Sequence, residues 1–205
     1  MTIVLSGLLF VVWCSVAAFL RFYRIWLLYY VLGAGGCAYW LVLGTSYFFQ
    51  LDLVLAQSVS WSVHQVARLF DLPTRIFAGA PGTLMVMVIT QEVGWTLFHI
   101  GVESSGLLEL SVLTSLLLFY PGWTLRWRVS AIAIGLALTW MANVLRVLVI
   151  TAMLHTMGKN VLVLAHTFVG KALFFSLIVA ICWYLVTTPT LRFVRARLQH
   201  DETAR

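Results

Sequence analysis

Charge is what this chain most lacks. Only 10% of its 205 residues are Asp, Glu, Lys or Arg, whereas 62% are hydrophobic. A soluble domain carries roughly a quarter charged residues. A fully hydrated exterior is therefore excluded, and an integral membrane protein is implied; the mean hydropathy of +0.99 agrees. Cysteine is also sparse. Cys14, Cys37 and Cys182 are odd in number, each lies in an apolar run, and no CxxC or CxxH spacing occurs. Disulfide frameworks and zinc sites are thereby excluded, and buried structural thiols remain. Internal repeats and low-complexity tracts are missing, and no basic segment precedes the first apolar run. That run reads as a retained span rather than a cleaved signal. The net charge of +6 does not point to nucleic acid, because the basic residues sit in short segments beside apolar spans, as membrane topology demands.

Five stretches approach or exceed the length needed to cross a bilayer: 3–20, 25–43, 107–120 (short), 129–154 and 161–186. Segment 47–75 differs, mixing apolar residues with Asp52, Gln57, His64, Gln65, Arg68 and Asp71. It suits an amphipathic helix lying at the interface. Asp71-Leu72-Pro73 stops it, and Gly79-Ala80-Pro81-Gly82 forms a turn cluster. The β-prone runs 83–89 and 95–102 then suggest a small hairpin, which must lie in the aqueous phase because open strand edges are not tolerated in lipid. The expected fold is an all-α membrane protein of about five transmembrane helices, with an extracytoplasmic interfacial helix and a hairpin-like insertion. It forms one integral membrane domain: two N-terminal spans (1–44), an extracytoplasmic interfacial region (45–105), a three-span core (106–186) and a basic cytoplasmic tail (187–205).

Basic residues set the orientation. Arg21, Arg24, Arg126, Arg128, Arg192, Arg195, Arg197 and Arg205 fall on one side of a five-span chain, against Arg68, Arg75 and Lys159 on the other. The positive-inside rule places the larger group in the cytoplasm. The N-terminus and the polar residues discussed next then face the extracytoplasmic side of an inner or plasma membrane.

Three polar positions stand out against this background. Arg146 lies inside an apolar span, where a charge is costly and marks a site by default. Ser104 stands at the outer entrance of the third span and His166 near the start of the fifth. Counting along the spans puts all three at similar depth on one face, with Ser104 near the surface. A hydroxyl, a guanidinium and an imidazole so arranged suit acyl transfer on a membrane-proximal peptide: a nucleophile at 104, oxyanion stabilisation by Arg146 and proton shuttling by His166. Each has a plainer alternative. Ser104 or Ser105 can cap the third span, Arg146 can snorkel or form a structural ion pair, and His166 can be an interfacial histidine bonded to backbone. Asn143, one turn before Arg146 on the same face, and Glu103, beside position 104, are candidates for substrate binding; a solvated loop acid is the alternative for Glu103. Glu109 and Lys171 read as a structural pair across the bundle. His155 falls in the outer loop 155–160, where solvation suffices. A haem pair through His155 and His166 has no supporting motif, and neither cofactor nor metal is expected.

The motifs Ser104-Ser105-Gly106, Asn143-Val144-Leu145-Arg146 and His166, in this order and topology, resemble those of the exosortase/archaeosortase family of membrane transpeptidases. The resemblance covers roughly residues 45–186. The family pattern is Cys-Ser-Gly entering a span, Asn-x-x-Arg in the next, and His early in the one after. It implies a cysteine-type transpeptidase with catalytic positions 104, 146 and 166. The implied substrates are exported proteins whose C-terminal sorting signal comprises a motif, an apolar helix and a basic tail; the acceptor is a lipid or cell-envelope component. The chain departs from the pattern in two places. Serine replaces the nucleophilic cysteine at 104, as in an enzyme inactivated by a Cys-to-Ser change or in a natural variant that uses serine or has lost catalysis. Glu109 follows Leu108 where many family members carry a basic residue. An intramembrane serine protease and a non-catalytic protein that binds and delivers tailed partners are the rival readings; a transporter is disfavoured by the absence of paired broken helices.

Overall fold

A helix that is apolar on every side has no use for water and satisfies its backbone internally, which is what a bilayer requires. The computed structural model, which describes residues 2–78, 85–91, 94–120, 123–188 and 191, is built on such helices. Four are long and apolar enough to cross a membrane: α1 (Thr2–Phe22), α2 (Trp26–Phe49), α6 (Leu125–Met157) and the helical run Leu164–Thr187, whose middle is α7 (Gly170–Cys182). A shorter apolar helix, α5 (Leu107–Phe119), makes a fifth. The chain is an all-α, multi-pass membrane protein of about five helices. Leu8, Val11 and Phe19 of α1 and Phe175 and Tyr184 of the last run are more than 40% exposed, a surface fit for lipid rather than water.

The insertion between α2 and α5 is more elaborate than a helix and a hairpin. Gln50, with φ 47° and ψ 40°, breaks the expected 47–75 helix at its start, so α2 runs on to Phe49 and α3 occupies Leu51–Leu69. α3 buries one stripe, Ala56, Val59, Ser60, Val63 and Ala67, at helical spacing. Asp71, also at positive φ, and Pro73 end it as expected. Beyond them Thr74–Ala78 forms a strand, β1, that the sequence reading missed: its alternation is too short to stand out and becomes a strand only through pairing. β2 (Met85–Gln91) and β3 (Gly94–Ile100) give the anticipated hairpin, and the antiparallel order is β1-β2-β3, with Thr74 opposite Ile89 and Met85 opposite Ile100. The glycine-rich cluster 79–82 lies outside the described residues.

Two packed clusters mark the two ends of the bundle. At one end Val59 and Val63 of α3, Met87 and Ile89 of β2, and Phe98 and Ile100 of β3 bury against Val147, Ile150 and Leu154 of α6. At the other, Leu113 and Leu117 of α5 meet Ala131 of α6 and Leu185. α5, α6 and the last helical run therefore alternate in direction, and the sheet roofs one end. α6 starts earlier and ends later than expected, which moves Arg126 and Arg128 into its first turn and His155 from the outer loop into its last.

Close approach fixes α2 against both α1 and α5. A Cβ on Gly36 would overlap the Trp13 indole, which donates to Leu32 O at 2.9 Å, and one on Gly33 would overlap the Phe119 ring. Small residues let apolar helices touch in this way. Gly36→Ala should lower stability by about 1–3 kcal/mol through overpacking. In a Trp13→Leu background the loss should shrink, as thermal unfolding of the four forms in detergent would read.

Candidate active site

The chain leaves β3 at Ile100 and turns at once into a one-turn helix, α4 (Val102–Ser105), wedged between α3 and α6. Gly106 then adopts φ 83°, a left-handed conformation that breaks α4 from α5 and that side chains with a Cβ resist. A Cβ there would also lie 3.1 Å from Asn143 Nδ2. The break leaves the Ser104 carbonyl outside any helical ladder, and Asn143 Nδ2 donates to it at 2.9 Å. Ser104 and Ser105 are 4% and 1% exposed. The near-surface position expected for Ser104 is thus incorrect, because α3 and α6 close over α4. The capping alternative also fails for Ser104: the residue preceding α4 is Gly101, the one preceding α5 is Gly106, and neither helix has a side-chain cap. Ser105 comes nearer to that role, its Oγ accepting from Leu107 N at 3.3 Å.

Asn143 and Arg146 occupy one face of α6 and are both almost fully buried. The Asn143 Oδ1 is buried with no hydrogen-bond partner among the described residues, as is Thr139 Oγ1 one turn earlier. The Arg146 guanidinium carbon sits 5.4 Å from the Phe174 ring centroid, within cation–π range. A cavity of about 310 Å³ opens beside it, lined by Glu109, Lys171 and Phe175 among others. Glu109 and Lys171 therefore do lie across a common space between α5 and α7, with Arg146 as a third charge facing it.

His166 lies in a π-helical turn, Leu164–Val169, that interrupts the last span just before α7. Such turns are uncommon and occur frequently at functional sites. Its ring packs edge-on against Phe98 of β3, 5.5 Å between centroids. Phe98 precedes Ser104 by six residues, so at most about 20 Å of chain separates the two. Depth is a separate matter. Arg146 meets Phe174, eight residues beyond His166, so the His166 backbone stands about 12 Å nearer the sheet end than the Phe174 backbone at 1.5 Å per residue. The structure sets Asn143 beside Ser104, with Arg146 one turn further along α6 and the His166 ring against Phe98.

The structure thus joins Ser104 to Asn143 directly, carries Arg146 on the same face of α6, and brings His166 to the sheet that leads into α4. The Glu103 side chain lies outside the described residues. Sequence reasoning missed Phe98 and Phe174, aromatic residues without a motif, and the π turn, which no residue pattern announces. Compared with protein-family models, with curated proteins and with solved structures, the chain matches none.

Removing the Asn143 amide should free the turn it holds. Asn143→Ala is expected to cost about 1–3 kcal/mol, because a buried carbonyl loses its donor, and to speed hydrogen exchange of residues 104–107 well ahead of β2 and β3. Gly106→Ala should cost about 1–2 kcal/mol from the left-handed backbone alone. Thermal unfolding and exchange on the same samples would check both.

Proposed function

We propose that this protein is a membrane transpeptidase of exosortase/archaeosortase type, acting on the C-terminal sorting signals of exported proteins. The observation that carries the proposal is the 2.9 Å bond from Asn143 to the Ser104 carbonyl: it ties the 104–106 turn to the helix face that bears Arg146. In the proposed reaction the side chain at 104 attacks the scissile carbonyl while Arg146 donates to the developing oxyanion in a site of low dielectric. The released amine takes a proton by way of His166, leaving an acyl-enzyme. An amine or hydroxyl of a lipid or envelope acceptor then displaces the side chain at 104. The orphaned Asn143 Oδ1 supports a substrate-binding role, since a backbone N–H of the bound peptide would satisfy it. The distribution of basic residues supports an extracytoplasmic site in an inner or plasma membrane.

Position 104 decides what this form of the protein does. A thiol is partly ionised near neutral pH and is a far better nucleophile than an unassisted hydroxyl. A reporter bearing a C-terminal tail should be cut by the Ser104→Cys form and not by Ser104→Ala. Cutting by the unaltered chain would make it a serine enzyme; no cutting would make it an inactive relative of the cysteine form. In the Ser104→Cys background, Arg146→Ala should lower the rate by about 10²–10³-fold, the usual cost of removing one oxyanion donor. If none of the forms cuts while a control enzyme cuts its own reporter, the proposal fails for that tail.

The burial of Ser104 favours a second reading, an intramembrane serine protease that passes the acyl group to water. The products separate the two: a lipid-modified reporter supports the transpeptidase, and a free C-terminal carboxylate supports the protease.

A further inference from the structure

At the end of the bundle away from the sheet, two arginines far apart in sequence face one space. Arg21 closes α1, and Arg128 lies in the first turn of α6. Together with Trp26, Tyr29 and Tyr120 they line a cavity of about 560 Å³. No carboxylate is among its described lining residues. The Arg128 Nη2 donates to Tyr120 O at 3.0 Å, which holds the guanidinium against the end of α5. Its Nε is buried with no hydrogen-bond partner among the described residues. A guanidinium offers five donors in a rigid fork, so this arrangement uses only part of what Arg128 can give.

Like charges turned toward a shared space repel unless an anion lies between them. The start of α6 adds to the positive potential, because the first N–H groups of a helix have no partner within it and carry its positive dipole end. Around this charge stand aromatic residues of the kind found at membrane interfaces. Trp26 and Leu118 are both exposed at its rim, so the cavity opens onto the surface that faces lipid.

We propose that this cavity binds the phosphate of an anionic phospholipid headgroup, with Arg21 and Arg128 as its ligands. The phosphodiester sits between the two guanidiniums, and the glycerol and first methylenes lie against Trp26, Leu118 and Phe119. The bias of basic residues assigns the lipid to the cytoplasmic leaflet. Bound there, it joins the α1–α2 turn to the start of α6, two segments that the sequence separates by about a hundred residues. The site lies at the opposite end of the bundle from Ser104 and does not depend on the catalytic reading.

The test uses the full chain in a neutral detergent, titrated with short-chain phosphatidylglycerol, short-chain phosphatidylcholine or inorganic phosphate, and reads thermal stabilisation and affinity. Phosphatidylglycerol should stabilise the protein, and the other two should not. Arg21→Gln and Arg128→Gln should each weaken phosphatidylglycerol binding roughly fivefold, the usual worth of one basic residue at an anionic lipid surface. Arg126→Gln, exposed on the same turn of α6 and outside the cavity lining, should leave it unchanged. Arg21→Gln removes an exposed side chain and keeps the test decisive if Arg128→Gln fails to fold. Equal stabilisation by phosphatidylcholine would overturn the proposal. So would equal stabilisation by inorganic phosphate, which would indicate a free-anion site, or unchanged phosphatidylglycerol affinity in Arg21→Gln.

Discussion

A peptide carbonyl buried in an apolar bundle must find a donor, and at Ser104 that donor is the Asn143 amide. The need arises from the backbone. Gly106 turns left-handed, α4 stops after one turn, and the carbonyl that would have fed the next turn of helix is left over. A side chain on α6 takes it at 2.9 Å. Buried polar groups are costly unless satisfied, so this bond fixes the position of α4 against α6 with a directionality that apolar contact lacks. Position 104, the entry to α5 and the Arg146 face of α6 are thereby held as one unit.

The remaining architecture protects that unit. α3 and the three-stranded sheet pack their apolar faces onto the last turns of α6 and cover α4, which lowers the exposure of Ser104 to 4%. Strand edges are not accepted by lipid, so a sheet of this kind belongs outside the hydrocarbon. Arg146 is sheltered in another way. Phe174 stacks on its guanidinium, and Glu109 and Lys171 border the same cavity. At this end of the bundle these three charges share one small region, where low dielectric strengthens each electrostatic contact.

The membrane helices were legible because their signal is compositional. Long apolar runs need no partner to be recognised, and the spans, the amphipathic α3 and the β2–β3 hairpin follow from hydropathy, spacing and turn residues. β1 was not legible. Thr74–Ala78 is five residues long, and only its pairing with Met85–Ile89 makes it a strand. The break at Gln50 was hidden because a residue other than glycine gives no sign in the sequence that it turns left-handed. At the site, Ser104, Asn143 and Arg146 could be singled out as polar residues in apolar surroundings. Phe98 and Phe174 could not, because an aromatic residue in a membrane protein is ordinary until its neighbour is known. The burial of Ser104 was misjudged because depth along the chain says nothing about what folds over it.

The register of α6 against the last helical run places a constraint on any chemistry that uses all three positions. The His166 backbone stands about 12 Å nearer the sheet end than that of Phe174, which meets Arg146, and its ring packs against Phe98. An extended peptide covers that interval in about four residues, at roughly 3.3 Å each. Direct proton transfer needs the imidazole within hydrogen-bond distance of the proton it moves, or one water away. Any exchange of a proton between His166 and position 104 therefore depends on side-chain reach or a bridging water, not on backbone proximity. The strand that packs against His166 also leads into α4, so any shift of β3 would move the imidazole and position 104 together.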